Sequence, residues 1–404
     1  MRTTPTVLFA LILAPFLSAP AQVLAQPDGA GGDRSSDLGH RAEPADLSEF
    51  AETLRERMGV PGLSIAAVNA EGPLAWGVAG VRSARGEDPV QRADRFHIGS
   101  LTKSMTATLV ARFVEDGRLA WESTIEELAP ELAAQIPERA RAITVRQLLS
   151  HRAGLPDDRA GGAMLVSMWS LKGDMIEQRE AVAVGYLNEP NNTEPGTAFV
   201  YSNAGYIIAG HLLEVITGEP WEALIEREVF EPLAMTTAGQ GPPGMDPEQG
   251  DQPFGHGRGN EIYNPIPQRL GADNPPPLGP AGRAHMSSED LAAFARAHLR
   301  GQQGLDGFLD AATIQVLHSD PESDGYALGW GVAGDGITRR SVHAGSNNRW
   351  LAFIIVWPGR NVAAVACMNG VPPEGRTGDP LGAIVNELER RGMIAPLPKT
   401  SAEP

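Results

Sequence analysis

The sequence predicts an α+β fold in which strands from both ends of the chain share one sheet and a mostly helical region is inserted between them. Three observations carry this expectation. Strand-like apolar runs are confined to residues 63–78 and 327–368, while from 105 to 317 the apolar positions mostly recur at helical spacing. The chain is also long enough, at 404 residues with 42% hydrophobic and 21% charged, to bury a large core. In such an architecture a site is expected at the seam between sheet and helices.

The elements follow in chain order. Arg2, an apolar run over 7–17 and small residues ending in Val23-Leu24-Ala25 have the layout of a secretory signal peptide over 1–25, with cleavage expected after Ala25 and Ala21 as the alternative. The run is short and interrupted by proline, and no Cys follows it, so no stable membrane anchor is expected after cleavage. A periplasmic or extracellular location follows from that expectation. Residues 26–44 are rich in Gly, Asp, Ser and Ala without periodicity and are expected to be a disordered spacer.

One domain is expected over 45–392. Leu47, Phe50, Ala51 and Leu54, followed by Gly59 and Pro61, predict a helix over 46–58 with a stop. Residues 63–68 and 74–78 predict paired strands. A helical insert is expected over about 105–317, with periodic segments at 145–149, 205–216, 221–230 and 288–299. Within it, residues 239–282 are crowded with Pro and Gly and predict a long loop without regular structure. Strands are expected at 327–332, 350–357 and 362–368, a helix at 381–391, and a flexible tail at 393–404.

Composition excludes several functions. A formal charge of -17, with no clustered Lys or Arg, speaks against nucleic-acid partners. Cys367 is the only cysteine and lies in an apolar run, which predicts a core thiol and no intramolecular disulfide. The nine histidines are scattered, with no metal-ligand spacing, so no metal is expected.

Lysine usage points to chemistry. Only Lys103, Lys172 and Lys399 stand against 30 arginines. An ammonium can lose its proton when desolvated, whereas a guanidinium effectively cannot. Lys103 lies three residues after Ser100, and Ser100-Leu101-Thr102-Lys103 opens an apolar helix, so the amine and the hydroxyl share a helical face. Serine needs an adjacent base to act as a nucleophile, and a buried neutral lysine supplies one. The helix start also offers a free backbone N–H to a developing oxyanion. A second constellation is Tyr201-Ser202-Asn203, where a phenol could relay a proton and the amide could hold a substrate carbonyl. A third is His343-Ala344-Gly345 on an expected edge strand, where glycine admits a substrate backbone and the Ser346 N–H could complete an oxyanion hole with that of Ser100.

In this order, the three boxes resemble those of the β-lactamase-related serine hydrolases, which include class C β-lactamases, D-alanyl-D-alanine carboxypeptidases, D-aminopeptidases and family VIII-type esterases. The likeness extends to Leu148-Leu149-Ser150-His151-Arg152-Ala153-Gly154-Leu155-Pro156, to residues 194–205, to Glu231-Pro232-Leu233-Ala234-Met235, to residues 282–294 and to Gly329-Trp330-Gly331, covering roughly 45–390. It implies a β-lactamase/transpeptidase-like fold with an antiparallel terminal sheet. It also implies Ser100 as acylated nucleophile, Lys103 and Tyr201 as proton-handling partners, and Asn203, His343 and Gly345 as substrate-binding residues. No metal or organic cofactor is implied, and the partner would be a small-molecule or peptide substrate. The third box departs from the Lys-Thr-Gly or Lys-Ser-Gly of many β-lactam-acting members, which shifts the expectation toward ester or peptide hydrolysis. A class C-type β-lactamase and a non-catalytic binding protein on the same fold are the alternatives. Arg349 is a candidate for the missing carboxylate contact, by the bidentate pairing that guanidinium favours. A serine hydrolase of the α/β-hydrolase class is disfavoured because no Gly-x-Ser-x-Gly occurs.

Overall fold

The computed structural model describes residues 43–158, 162–245, 250–259, 262–268 and 271–397. The expected signal peptide and nearly all of the expected spacer lie outside these residues. Among the described residues no helix is long and apolar enough to cross a membrane.

Among the described residues there are twelve strands, in chain order β1 Ala45–Asp46, β2 Gly62–Val68, β3 Pro73–Gly80, β4 Phe96–His97, β5 Gly239–Gln240, β6 Gly255–Gly259, β7 Ile262–Ile266, β8 Ala284–Met286, β9 Gly331–Ala333, β10 Arg340–Ser346, β11 Leu351–Trp357 and β12 Val362–Met368. Seven form the main sheet in the order β1-β3-β2-β12-β11-β10-β9, so strands from both ends of the chain meet where β2 pairs with β12. All its pairings are antiparallel except that of β1 with β3, which makes the sheet mixed rather than purely antiparallel.

The central strands are buried from end to end because both sheet faces are covered. Ser48–Met58 and Pro380–Arg390 lie on one face, where Leu47, Leu54, Ile384 and Leu388 interlock with Leu63, Phe353 and Ala364. The helical region covers the other face through Ser288–Gln302, and Ala66, Ile354 and Val365 join its core. Alternate residues of β10 therefore point in opposite directions: Val342 and Ala344 into the first core, His343 and Gly345 toward the helices.

Three expectations are corrected. The strand expected at 327–332 is only Gly331–Ala333, because Ala327 to Trp330 close a turn in which the Ala327 N–H donates to the Trp330 carbonyl and Gly329 has φ +81°. That segment is apolar because it is buried, not because it is extended. Residues 239–282 are not an unstructured loop: they contain β5, the β6–β7 hairpin, a 3-10 turn at Pro276–Leu278 and a short helix at Gly279–Gly282. The hairpin pairs glycine-rich β6, Gly-His-Gly-Arg-Gly, with a β7 that contains Asn264 and Pro265, which leaves no clear apolar alternation to read. The start of the expected flexible tail is packed, with Ile394 buried and the Ala395 carbonyl accepting from Arg360.

Candidate active site

The expected nucleophile stands on a tight turn at the seam. Gly99–Leu101 forms a 3-10 turn between β4 and the helix Thr102–Glu115, and Gly99 has φ +53°. A Cβ at Gly99 would fall 2.4 Å from the backbone nitrogen of Ser346. One at Gly345 would fall 2.0 Å from the Ile98 carbonyl oxygen and 2.6 Å from the Ser100 nitrogen. The turn and the end of β10 thus touch backbone to backbone, which only glycine permits. The N–H groups of Ser100 and Ser346 flank that contact. β9 pairs only with Arg340, Ser341 and Val342, so the His343–Ser346 half of β10 is an open edge, as the sequence suggested.

Ser100 is half-buried, whereas Lys103 is wholly buried. The Lys103 Nζ lies 3.2 Å from Ser100 Oγ and donates to Asn203 Oδ1 and to the Ala281 carbonyl, each at 2.7 Å. Burial depresses its pKa to about 7, with the Asp158 carboxylate opposing the fall. Close to neutrality a large fraction of this amine is therefore unprotonated.

Tyr201 and Asn203 reach the same amine, the Tyr201 ring centroid standing 5.0 Å from Nζ. Tyr201 packs against His151, with centroids 4.2 Å apart, and His151 Nδ1 accepts the Ser202 N–H. Asn203 opens the helix Asn203–Thr217. Its amide is engaged on both sides, since Nδ2 donates to Asp158 Oδ1 at 3.0 Å while Oδ1 faces Lys103. Oδ1 and one of the two Nδ2 hydrogens are thereby committed within the protein.

His343 is buried and its ring is fully used. Nδ1 donates to the Ala344 carbonyl at 2.8 Å, so Nε2 accepts from the Tyr326 hydroxyl at 3.1 Å. Burial, aided by the positive Lys103, pushes its pKa down to about 3. It is a neutral ring near neutral pH. Ser346 Oγ donates to the Trp350 carbonyl. Arg349 lies against the β6–β7 hairpin, its carbonyl accepting from the His256 N–H and its Nη1 donating to the Asn348 carbonyl. No hydrogen bond ties its guanidinium to Ser100, Lys103 or Asn203.

Sequence reasoning missed two contributors. Asp158 is buried beside Asn203, yet Asp157-Asp158 after Pro156 looks like ordinary turn acid in sequence. The second is a clamp on the Ser100 turn. His97 Nδ1 accepts the Gly99 N–H at 3.1 Å, its Nε2 donates to Asp273 Oδ1 at 2.8 Å, and Arg283 Nε donates to Asp273 Oδ2 at 2.7 Å. Its parts are separated by up to 186 residues, and Asp273 falls in the Pro- and Gly-rich stretch 239–282, which has no readable periodicity.

The chain is similar in sequence and fold to known proteins. The family model described as Beta-lactamase matches residues 50–387. Penicillin-binding protein 4 of Amycolatopsis lactamdurans is 27% identical over 354 residues, covering 81% of this chain and 85% of the relative. Among solved structures, the octameric penicillin-binding protein homologue from Pyrococcus abyssi superposes with a TM-score of 0.67 at 20% identity, over 85% of this chain and 76% of that one. A D-stereospecific amidohydrolase from Streptomyces sp. superposes with a TM-score of 0.63 at 24% identity, over 85% and 98%. At these identities the two structures speak for the fold. A model match across most of the chain establishes more than the fold: this protein belongs to the beta-lactamase family of serine hydrolases.

Proposed function

We propose that this protein is an exported serine hydrolase that cleaves a carboxylic ester or amide through an acyl-enzyme on Ser100. The observation that carries the proposal is the buried Lys103 amine, 3.2 Å from Ser100 Oγ and close to half-neutral at pH 7. The neutral amine takes the Ser100 proton as Oγ bonds to the substrate carbonyl carbon, and the carbonyl oxygen becomes an oxyanion facing the Ser100 and Ser346 N–H groups. As the tetrahedral intermediate collapses, the leaving group takes the proton back from Lys103, relayed by the Tyr201 hydroxyl. Water then attacks the ester on Ser100, passing its proton to the same amine and restoring the serine. Export rests on the N-terminal sequence alone.

An ester or peptide is favoured over a β-lactam. β-Lactams carry a carboxylate that a cation would pair, and the third-box position holds His343, which is neutral and already bonded to Tyr326 and Ala344. The test is covalent labelling by a fluorescent phosphonate and by a fluorescent penicillin, read by intact mass with Ser100→Ala as control. Phosphonate labelling that disappears in Ser100→Ala is expected, with little penicillin labelling. Absence of both adducts from the wild-type protein would refute the proposal, and penicillin labelling as fast as phosphonate labelling would refute the substrate preference.

A further inference from the structure

The three partners of the Lys103 amine are not equivalent, and the difference decides which way its lone pair points. A neutral amine has two N–H bonds and one lone pair. The Ala281 carbonyl can only accept, and Asn203 Oδ1 can only accept, so both N–H bonds go to them. The remaining direction faces Ser100 Oγ, and it holds the lone pair. This arrangement depends on the orientation of one amide. With the Asn203 amide turned over, its NH2 would face Nζ and take the lone pair, and the amine would turn an N–H toward Ser100. It would then donate to the hydroxyl it has to deprotonate.

Asp158 prevents that reversal. Its Oδ1 accepts both the backbone N–H of Asn203 at 2.9 Å and the Nδ2–H at 3.0 Å. A carboxylate oxygen offers Asn203 Oδ1 nothing to bond, so the turned-over amide would set two acceptors against each other in a buried place. The backbone bond is available because Asn203 opens its helix and its N–H has no partner within it. Asp158 itself is buried on the segment that follows Pro156.

We propose that Asp158 is a positioning residue for the hydrolytic reaction: by fixing the Asn203 amide with its oxygen toward Lys103, it aims the lone pair of that amine at Ser100 Oγ and supplies the amine's buried counter-charge. The proposal rests on the roles given above to Ser100 and Lys103. The groups that face Lys103 are Ser100, Asn203, the rings of Tyr201 and Tyr206, His343 and Asp158. Those that act on Asp158 are Lys103, Tyr186 and Asp157. Asp158 is therefore the negative charge among the groups that act on the amine, and its carboxylate favours the protonated form.

The experiment measures the second-order rate of phosphonate labelling of Ser100 from pH 5 to 9 in the full chain, for wild type, Asp158→Ala and Asp158→Asn, with the melting temperature of each. Asp158→Ala should lose roughly 30-fold at the pH optimum, a fraction of the effect of a general base, because the amide is free to turn. Asp158→Asn keeps an acceptor for both Asn203 donors, so it should recover most of that rate. It lacks the charge, so its acid limb should lie at lower pH than the wild-type limb near pH 7. A residue that merely capped the helix would lower the melting temperature without moving the acid limb. Wild-type rate and wild-type acid limb in a folded Asp158→Ala would overturn the proposal. Should that variant not fold, an unmoved acid limb in Asp158→Asn would do so. Ser100→Ala separates the two levels: if it still takes up the probe, the nucleophile assignment fails. If it does not, and the Asp158 variants match wild type, only the role of Asp158 fails.

Discussion

Lys103 is one of three lysines in a chain that otherwise uses arginine for its cations, and its surroundings explain why arginine could not stand there. The proposed reaction needs a wholly buried group that can lose a proton, and a guanidinium stays charged there. Lys103→Arg should therefore be as damaging as Lys103→Ala, with each losing at least about a hundredfold in phosphonate labelling rate, the usual scale for a general base. In wild type the rate should rise with pH through about 7, because only the neutral amine accepts the serine proton and burial has brought its pKa down to that value. Residual labelling of Lys103→Arg within a few-fold of wild type would show that another group is the base. Ser100, Lys103 and Gly345 were legible as candidates because their residue types and spacing are those the proposed chemistry needs, and the structure brings them together. Asp158 was not, since its importance lies in being buried, and a short acidic pair after a proline carries no trace of burial.

The Ser100 turn is the smallest element of the site, and it is held by contacts its own sequence does not reveal. Three residues cannot fix a 3-10 turn with a left-handed glycine by local propensity, so the hold must come from elsewhere. The His97-Asp273-Arg283 chain provides it, passing from the turn to the segment before the Gly279–Gly282 helix. The His97 and Arg283 bonds keep the Asp273 carboxyl below its usual range against the effect of burial. Asp273→Ala should cost about 3 kcal/mol in urea unfolding, as removal of one partner from a buried charged network does. It should also slow Ser100 labelling without shifting the acid limb, because Lys103 is untouched. Unchanged stability and rate would mean that the turn holds itself. The strands of the main sheet were legible as continuous apolar runs, since both of their faces are covered. The same signal misled at Ala327 to Trp330, where a buried turn is as apolar as a strand. It was silent for the β6–β7 hairpin, which has no clear apolar alternation.

At the scale of the whole molecule, the buried core encloses histidines in neutral form, and this ties stability to pH. Burial pushes the pKa of His285 down to about 4, those of His298 and His343 to about 3, and that of His318 well below its ordinary value. His298 and His318 form a closed chain in which Thr108 gives its hydrogen to the Ser104 carbonyl and accepts from His298 Nε2. His298 Nδ1 then accepts from His318 Nε2, and His318 Nδ1 accepts from Ser341. A further proton would have to reverse this chain of donors back to Ser341 and leave a charge buried between the two rings. In the unfolded chain these rings titrate near 6.5, so between there and about pH 4 the unfolded state binds protons that the folded state refuses. Their stabilising contribution is complete above pH 6.5 and is lost as the pH falls, by about 1.4 kcal/mol per pH unit for each ring protonated only when unfolded. The buried carboxyls of Asp158, Asp290 and Asp379, raised by burial, act in the opposite sense, since the folded state holds their protons more tightly. The five depressed histidines of the described residues, these four and His256, lose stability from near pH 6.5 and should prevail over three carboxyls that titrate from about 4 when unfolded. Urea unfolding at pH 7.5, 6.5, 5.5 and 4.5 should give steadily falling stability, and Ser341→Ala with His318→Phe should flatten the slope by removing one titrating ring. A stability that held level or rose down to pH 5 would mean that the histidines take up protons in the folded state, and that the closed chain opens more readily than its geometry implies.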